Sequence, residues 1–208
     1  MRLTLASASP RRLELLQRIG ISPQVLAADV DESVLPGESP SDYVMRVAFD
    51  KAHRVRALIA RAGSDPAVDS IVLAADTAVV NNAKTLGKPV DRADAVAMLN
   101  SLSGRTHEVL TAVVVIDPDD VEQSVLARAT VTFATIDRRE VDWYVSTGEP
   151  LDKAGSYALQ GMGGVLVERI DGDPTTVIGL PLRDTVDLLR SAGLIWPNPT
   201  DVAIDDAG

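Results

Sequence analysis

The spacing of apolar and polar positions along the chain changes period several times, and each change marks an element. A short apolar strand, Leu3-Thr4-Leu5-Ala6, runs into Ser7-Ala8-Ser9, after which apolar residues recur at helical spacing up to Gly20. Ser9 reads as the cap of that helix, Pro10 as its first residue and Gly20 as its stop. Ser39-Pro40-Ser41-Asp42 opens a second helix, with Ser39 as cap and Asp42 completing an approximate capping box, and Gly63 closes it. Its apolar stripe runs through Val44, Val47, Ala48, Val55, Leu58 and Ala62. Ile71 to Val80 is apolar except at Asp76 and Thr77, the pattern of a strand buried on both faces, and Asn81-Asn82 turns it back toward Thr85-Leu86-Gly87-Lys88-Pro89 as a hairpin. Asp91 and Asp94 cap a third helix that ends at Gly104. His107 to Ile116 and Ser124 to Ile136 predict long strands paired across Pro118-Asp119-Asp120, and Asp137 with Glu140 opens a helix stopped at Gly148. Val165 to Ile170 and Thr175 to Gly179 are predicted to form a last hairpin about Asp171-Gly172-Asp173, and Pro181 admits a final helix ending at Gly193.

Strands and helices mixed in this order predict the α/β class, a mixed central sheet with flanking helices. Residues 1–195 are expected to form one domain, with Gly63 to Asp69 a surface loop and residues 196–208 an acidic, poorly ordered tail. With 208 residues, 46% of them hydrophobic, the chain can bury one core or two small lobes that share a cleft. It contains no cysteine, which removes disulfides, thiol catalysis and thiolate metal sites and fits a reducing compartment, so the cytoplasm is expected. No run approaches the roughly 18 to 20 apolar residues of a membrane span. A formal net charge of -10 argues against a nucleic-acid or anionic-membrane partner, and any bound phosphate is therefore expected to belong to a small molecule.

Against that background several polar residues are out of place. Arg11 and Arg12 fall in the first turn of a helix, where the macrodipole is already positive; with Ser7 and Ser9 beside them they describe a phosphate site, the alternative being two solvated arginines. Lys51 lies near the middle of the second helix's apolar stripe, so it needs an acidic partner unless it snorkels to the surface. Asp76, inside an apolar strand, must be paired, protonated or bound to a hard cation, or else it bonds nearby amides. Asp31-Glu32 is a plausible second carboxylate contribution, and Lys88 sits on a rigid corner after the hairpin. Glu149 to Gly161 packs charged, aromatic and amide groups into a short loop-rich stretch, which favours a binding loop. Gly161-Met162-Gly163-Gly164 leads into a strand and matches neither the P-loop nor the dinucleotide-binding spacing. His53 and His107 lack a second ligand at metal spacing and read as structural, although His107 could orient a loop near a cleft.

Taken in order, Ser7-Ala8-Ser9-Pro10-Arg11-Arg12, Asp31-Glu32, Lys51-Ala52, Ala75-Asp76-Thr77, Gly87-Lys88-Pro89, Ser103-Gly104-Arg105-Thr106-His107, Glu149-Pro150-Leu151-Asp152-Lys153-Ala154-Gly155, Gln160-Gly161 and Gly179-Leu180-Pro181 resemble the Maf family of nucleoside triphosphate pyrophosphatases. The resemblance implies a Maf/ITPase-like fold with two lobes around a nucleotide cleft. The implied reaction is hydrolysis of a nucleoside triphosphate to the monophosphate and pyrophosphate with a divalent cation, Mg2+ or Mn2+. It places the proton acceptor on Asp76, a metal-side carboxylate on Glu32, and triphosphate contacts on Arg11, Lys51 and Lys88. Arg12, Thr77 and Gln160 match the branch that prefers dTTP and UTP, whereas Thr175-Thr176 stands where an asparagine is common. The family also implies a homodimer. A nucleotide-binding regulator of division that does not hydrolyse, and a pyrophosphatase for deaminated purine nucleotides, remain the alternatives.

Overall fold

The computed structural model describes residues 1–61 and 70–197; the predicted loop from Gly63 to Asp69, the Gly63 stop of the second helix, and residues 198–208 of the predicted tail lie outside them. In chain order the elements are β1 (Arg2–Leu5), α1 (Pro10–Arg18), β2 (Gln24–Val25), α2 (Pro40–Arg61), β3 (Ser70–Asn81), β4 (Lys84–Leu86), α3 (Arg92–Leu102), β5 (Thr106–Ile116), β6 (Glu122–Phe133), α4 (Arg138–Ser146), β7 (Val167–Asp171), α5 (Pro174–Ile178) and α6 (Leu182–Ser191). Short 3-10 turns at Glu149–Asp152, Ala154–Ser156 and Met162–Leu166 fill the stretch between α4 and β7. The strands form one mixed sheet in the order β2-β1-β3-β5-β6-β7, with β4 also paired to β3. β1 is parallel to β2 and β3, and the remaining pairs are antiparallel. None of the helices in the described residues is long and apolar enough to cross a membrane.

The predicted caps at Asp91 and Asp137 form: Asp91 Oδ1 accepts from the Asp94 amide at 2.8 Å, and Asp137 and Glu140 make a reciprocal capping box. Two local readings change. The Ser9 side chain makes no cap bond; instead the Ser9 amide donates to Ser7 Oγ at 3.2 Å, leaving the first turn of α1 uncapped by its own serine. The run expected to be the return strand of a hairpin is instead the helix Pro174–Ile178 with Gly179 as its C-cap, because Asp173 caps it through the Thr175 amide at 2.8 Å and Pro174 supplies the preset φ of a first helical residue. β7 pairs with β6 instead.

Three apolar clusters explain the division into lobes. One face of β1 and β3 packs on α1 and α6 through Leu5, Leu15, Leu16, Leu73 and Leu189. The opposite face packs on α2 through Val44, Ala48, Val55, Val72, Ala74 and Ala78. The far ends of β3, β5 and β6 gather α3, α4 and the 3-10 turns around Leu99, Phe133, Tyr144 and Tyr157. At the expected start of the tail, Trp196 packs on the first cluster and its indole N–H donates to the Ile19 carbonyl at 2.7 Å. Long strands therefore run through both lobes, while the helices belong to one lobe or the other.

The cleft follows from how β3 is paired. β1 covers its edge at residues 70–73 and β4 covers the same edge at residues 79–81, so residues 74–78 pair only with β5. Because side chains alternate across a strand, Asp76 emerges at this gap on the α2 face and Thr77 on the α1 face.

Candidate functional site

All ten residues singled out from the sequence line one cavity of about 470 Å³ at the gap: Ser7, Ser9, Arg11, Arg12, Glu32, Lys51, Asp76, Thr77, Lys88 and Gln160. The misplaced lysine of α2 is the centre of its floor. Lys51 lies one turn from Ala48 and one from Val55, so helical geometry aims it at the sheet with the apolar stripe, and it meets the one acidic residue of β3. Its Nζ donates to Asp76 Oδ1 at 2.8 Å and lies 2.7 Å from Glu32 Oε1. Alanines at 74, 78 and 112 around Asp76 leave the room that this pairing requires.

The two carboxylates differ in environment. Burial pushes the Asp76 carboxyl above its ordinary range, against the opposing charges of Lys51 and Arg12. Burial acts in the same sense on Glu32, but the Lys51 hydrogen bond and the charges of Lys51, Lys88 and Arg12 outweigh it and hold that carboxyl low. Asp76 Oδ2 is buried with no hydrogen-bond partner among the described residues. A poised carboxylate with an orphaned oxygen therefore sits opposite one that stays ionised.

Arg12 turns inward, unlike Arg11, which stays half-buried on the cavity wall. The Arg12 Nε donates to the Gly179 carbonyl at 2.8 Å, one terminal nitrogen donates to Ser7 Oγ at 3.1 Å, and the other to Thr77 Oγ1 at 3.1 Å. Thr77 Oγ1 in turn lies 3.0 Å from Thr111 Oγ1, which donates to the Thr176 carbonyl at 2.8 Å. Gly179 is held at φ +121°, and a Cβ there would stand 3.3 Å from Thr77 Oγ1, so glycine is what lets the chain approach this network. No carboxylate lies within ion-pair distance of Arg12 among the described residues, and burial lowers the pKa of its guanidinium. Lys88 is exposed on the rim, and Gln160, with its amide oxygen turned toward Arg18, accepts from both Arg18 terminal nitrogens at 3.2 Å.

Several site-forming residues had no signal that periodicity alone could read. Tyr43 lines the cavity from α2 and its hydroxyl donates to the Glu32 carbonyl at 3.0 Å. Tyr157 lines it from the second lobe, with its hydroxyl 2.9 Å from Nε2 of His107; burial drives that imidazole down to about 4, so it is neutral. The sequence reads His107 as structural, and its Nε2 meets a tyrosine of the cavity wall. Glu149 accepts from the Tyr144 hydroxyl at 2.8 Å and from the Met162 and Gly163 amides at 3.0 Å each, tying down the loop that carries Gln160. Lys153 pairs with Asp152 at the cavity wall. His53 sits apart and exposed, 3.3 Å from Glu122.

The site therefore combines a cationic wall with two carboxylates on the floor, an arrangement suited to holding a phosphate chain while a base works beside it. A family model described as Maf-like protein matches residues 2–192. Three relatives are each called dTTP/UTP pyrophosphatase. One from Anaeromyxobacter dehalogenans (strain 2CP-1) is 51% identical over 203 residues, 95% of this chain and 98% of its own. One from Myxococcus xanthus is 49% identical over 195 residues, 94% of each chain. One from Methylobacillus flagellatus is 48% identical over 200 residues, 96% of this chain and 97% of its own.

Proposed function

The chain belongs to the Maf family, and from that premise we propose that it is a nucleoside triphosphate pyrophosphatase, converting dTTP, UTP and modified pyrimidine nucleoside triphosphates to the monophosphate and pyrophosphate. The observation that carries the reading is the buried Lys51 held between Asp76 and Glu32 at the foot of a cationic cavity.

Hydrolysis at the α-phosphorus forms one bond from a water oxygen and breaks the bridge to the β-phosphate. The water proton goes to Asp76, and the electron pair leaves with pyrophosphate. A carboxylate whose affinity for protons is raised by burial is a better general base than an exposed one. Lys51 keeps that carboxylate ionised and oriented, and Arg11 and Lys88 face the charge that accumulates on the departing pyrophosphate. Arg12 and Thr77, on the other face of β3, and Gln160 read the base side of the substrate. Asp76 with its orphaned Oδ2, and Glu32 opposite it, fit the small carboxylate count that Mg2+ takes when phosphate oxygens and water supply the rest. When bound there, Mg2+ or Mn2+ supplies charge neutralisation at the phosphates. A homodimer in the cytoplasm belongs to the same proposal, and sedimentation equilibrium tests the dimer.

The test is incubation of the purified protein with Mg2+ or Mn2+ and a panel of dTTP, UTP, CTP, methylated UTP, methylated GTP and ITP, with products resolved by chromatography. Monophosphate plus pyrophosphate from dTTP or UTP is the expected result. Preference for methylated GTP or ITP overturns the base assignment and keeps the reaction. Binding without product overturns the enzyme and favours a nucleotide-binding regulator.

A further inference from the structure

Glu32 reaches the cleft from a stretch, residues 26–39, that contains no helix or strand. Only Leu26 and Ala28 pack it against an apolar cluster, and its middle is exposed. A chain so weakly held gives no reason for the Glu32 carboxylate to stay 2.7 Å from Lys51. Beside Tyr43, which takes the Glu32 carbonyl, most of the bonds that hold it come from one side chain of α2, a helix turn and more from Lys51. The Arg46 Nε and one terminal nitrogen bind both oxygens of Glu38, at 2.6 and 2.9 Å. That same terminal nitrogen donates to the Ser33 carbonyl at 2.9 Å, and the other reaches the Asp31 carbonyl and Asp50 Oδ2, each at 3.5 Å. Glu38 extends the clamp, accepting from the Leu35 amide at 3.0 Å.

The guanidinium thus grips the backbone on both sides of Glu32, at residues 31 and 33, while Tyr43 takes the carbonyl of Glu32 itself. Only a planar fork with several donors can bind a carboxylate by two bonds and two carbonyls together; a lysine at this position keeps the charge and loses the geometry. We propose that Arg46 is a positioning residue for Glu32, fixing the loop from 31 to 38 on α2 so that its carboxylate faces Asp76 across Lys51. Resting on the reading of Glu32 as a metal-side carboxylate, this extends the site to a residue that touches neither substrate nor Lys51.

The test titrates Mn2+ by the electron paramagnetic resonance of the free ion, with the full chain and α,β-methylene-dTTP, an analogue that cannot be cleaved at the α-β bridge. Arg46→Lys weakens Mn2+ binding about 10- to 100-fold, the range seen when an outer partner of a metal ligand is removed. Glu38→Gln, which loosens the same clamp from the other side, shifts it in the same direction and serves if Arg46→Lys does not fold. In a Glu32→Gln background, Arg46→Lys adds no more than about twofold, because its effect runs through Glu32. An undiminished effect of Arg46→Lys in that background shows a merely structural arginine and overturns the proposal. So does unchanged Mn2+ affinity in both clamp variants, or no Mn2+ binding by the unsubstituted protein. Because the readout needs no turnover, coupling between Arg46 and Glu32 in a protein that releases no monophosphate leaves this inference standing and sinks the proposed activity.

Discussion

Replacing Arg12 with lysine should separate a buried scaffold arginine from a solvated one. Arg12 is 8% exposed and spends three donors on the Gly179 carbonyl, Ser7 Oγ and Thr77 Oγ1, groups from three separate segments of the chain. A lysine ammonium on a flexible stem can keep one of these bonds but cannot span all three. Two lost bonds at about 1–2 kcal/mol each give a destabilisation of about 2–4 kcal/mol. At about 2–4 °C per kcal/mol for a chain of this size, the melting temperature falls by about 5–15 °C. Differential scanning calorimetry at fixed pH, without nucleotide, measures it. Thr77→Val made in both backgrounds isolates the coupling: its cost should shrink in the Arg12→Lys protein, because the bond it removes is already gone. A melting temperature within about 2 °C of the unsubstituted protein, or equal costs of Thr77→Val in both backgrounds, refutes the reasoning and returns Arg12 to the solvent.

Three further outcomes follow from the same geometry. Asp76→Asn should lower kcat by about 10²- to 10⁴-fold with an unchanged circular dichroism spectrum, and near-normal turnover would remove Asp76 from the mechanism. His107 stays neutral when folded, down to about pH 4, and takes a proton near its ordinary pKa of 6.5 when unfolded; its contribution is therefore intact above pH 6.5 and is lost as pH falls toward 4, about 3 kcal/mol in all. His107→Phe should flatten the melting temperature against pH across that window, and a slope identical to the unsubstituted protein's would contradict the assignment. Glu149→Gln places an amide N–H₂ against a site that presents donors, costing about 1–3 kcal/mol, and should raise KM for nucleotide more than it lowers kcat by loosening the Gln160 loop. Steady-state kinetics that show the reverse split would count against that loop's role in binding.

How far these residues could be read from the sequence depends on the range of the interaction involved. Lys51 and Asp76 were legible because each breaks the period of its own element, and a buried charge breaking a stripe has to meet its opposite. The caps at Asp91 and Asp137 were legible because their partners lie three residues away. Thr175–Gly179 departs from the hairpin expectation because Asp173-Pro174 is a local capping signal, a side-chain acceptor followed by a preset φ, and it starts a helix where the Asp171-Gly172-Asp173 turn suggests a returning strand. By helix pattern alone Arg11 and Arg12 are alike, and only the resemblance separates their roles; what turns Arg12 inward is a set of contacts the pattern cannot show, among them a carbonyl 167 positions away in the chain. The Arg46 clamp was invisible for another reason: an arginine on the polar side of a helix has no pattern to break, and its partners are backbone carbonyls, which every residue has.

The alternation of β3 does more than bury two faces. Asp76 and Thr77 are consecutive, yet one enters the Lys51–Glu32 cluster and the other the Arg12 network, each on its own side of the sheet. They converge on a single cavity only because the strand has lost its neighbour on one edge between residues 73 and 79. A slip of β3 by one residue against β5 would turn Asp76 to the α1 face and Thr77 to the α2 face, taking the carboxylate away from Lys51. The nine-pair ladder from Val72–Ile116 to Val80–Glu108 is what forbids that exchange. Apolar residues on both faces of the strand thus serve more than the core: they fix which side of the cleft carries the carboxylates and which carries the arginine fork.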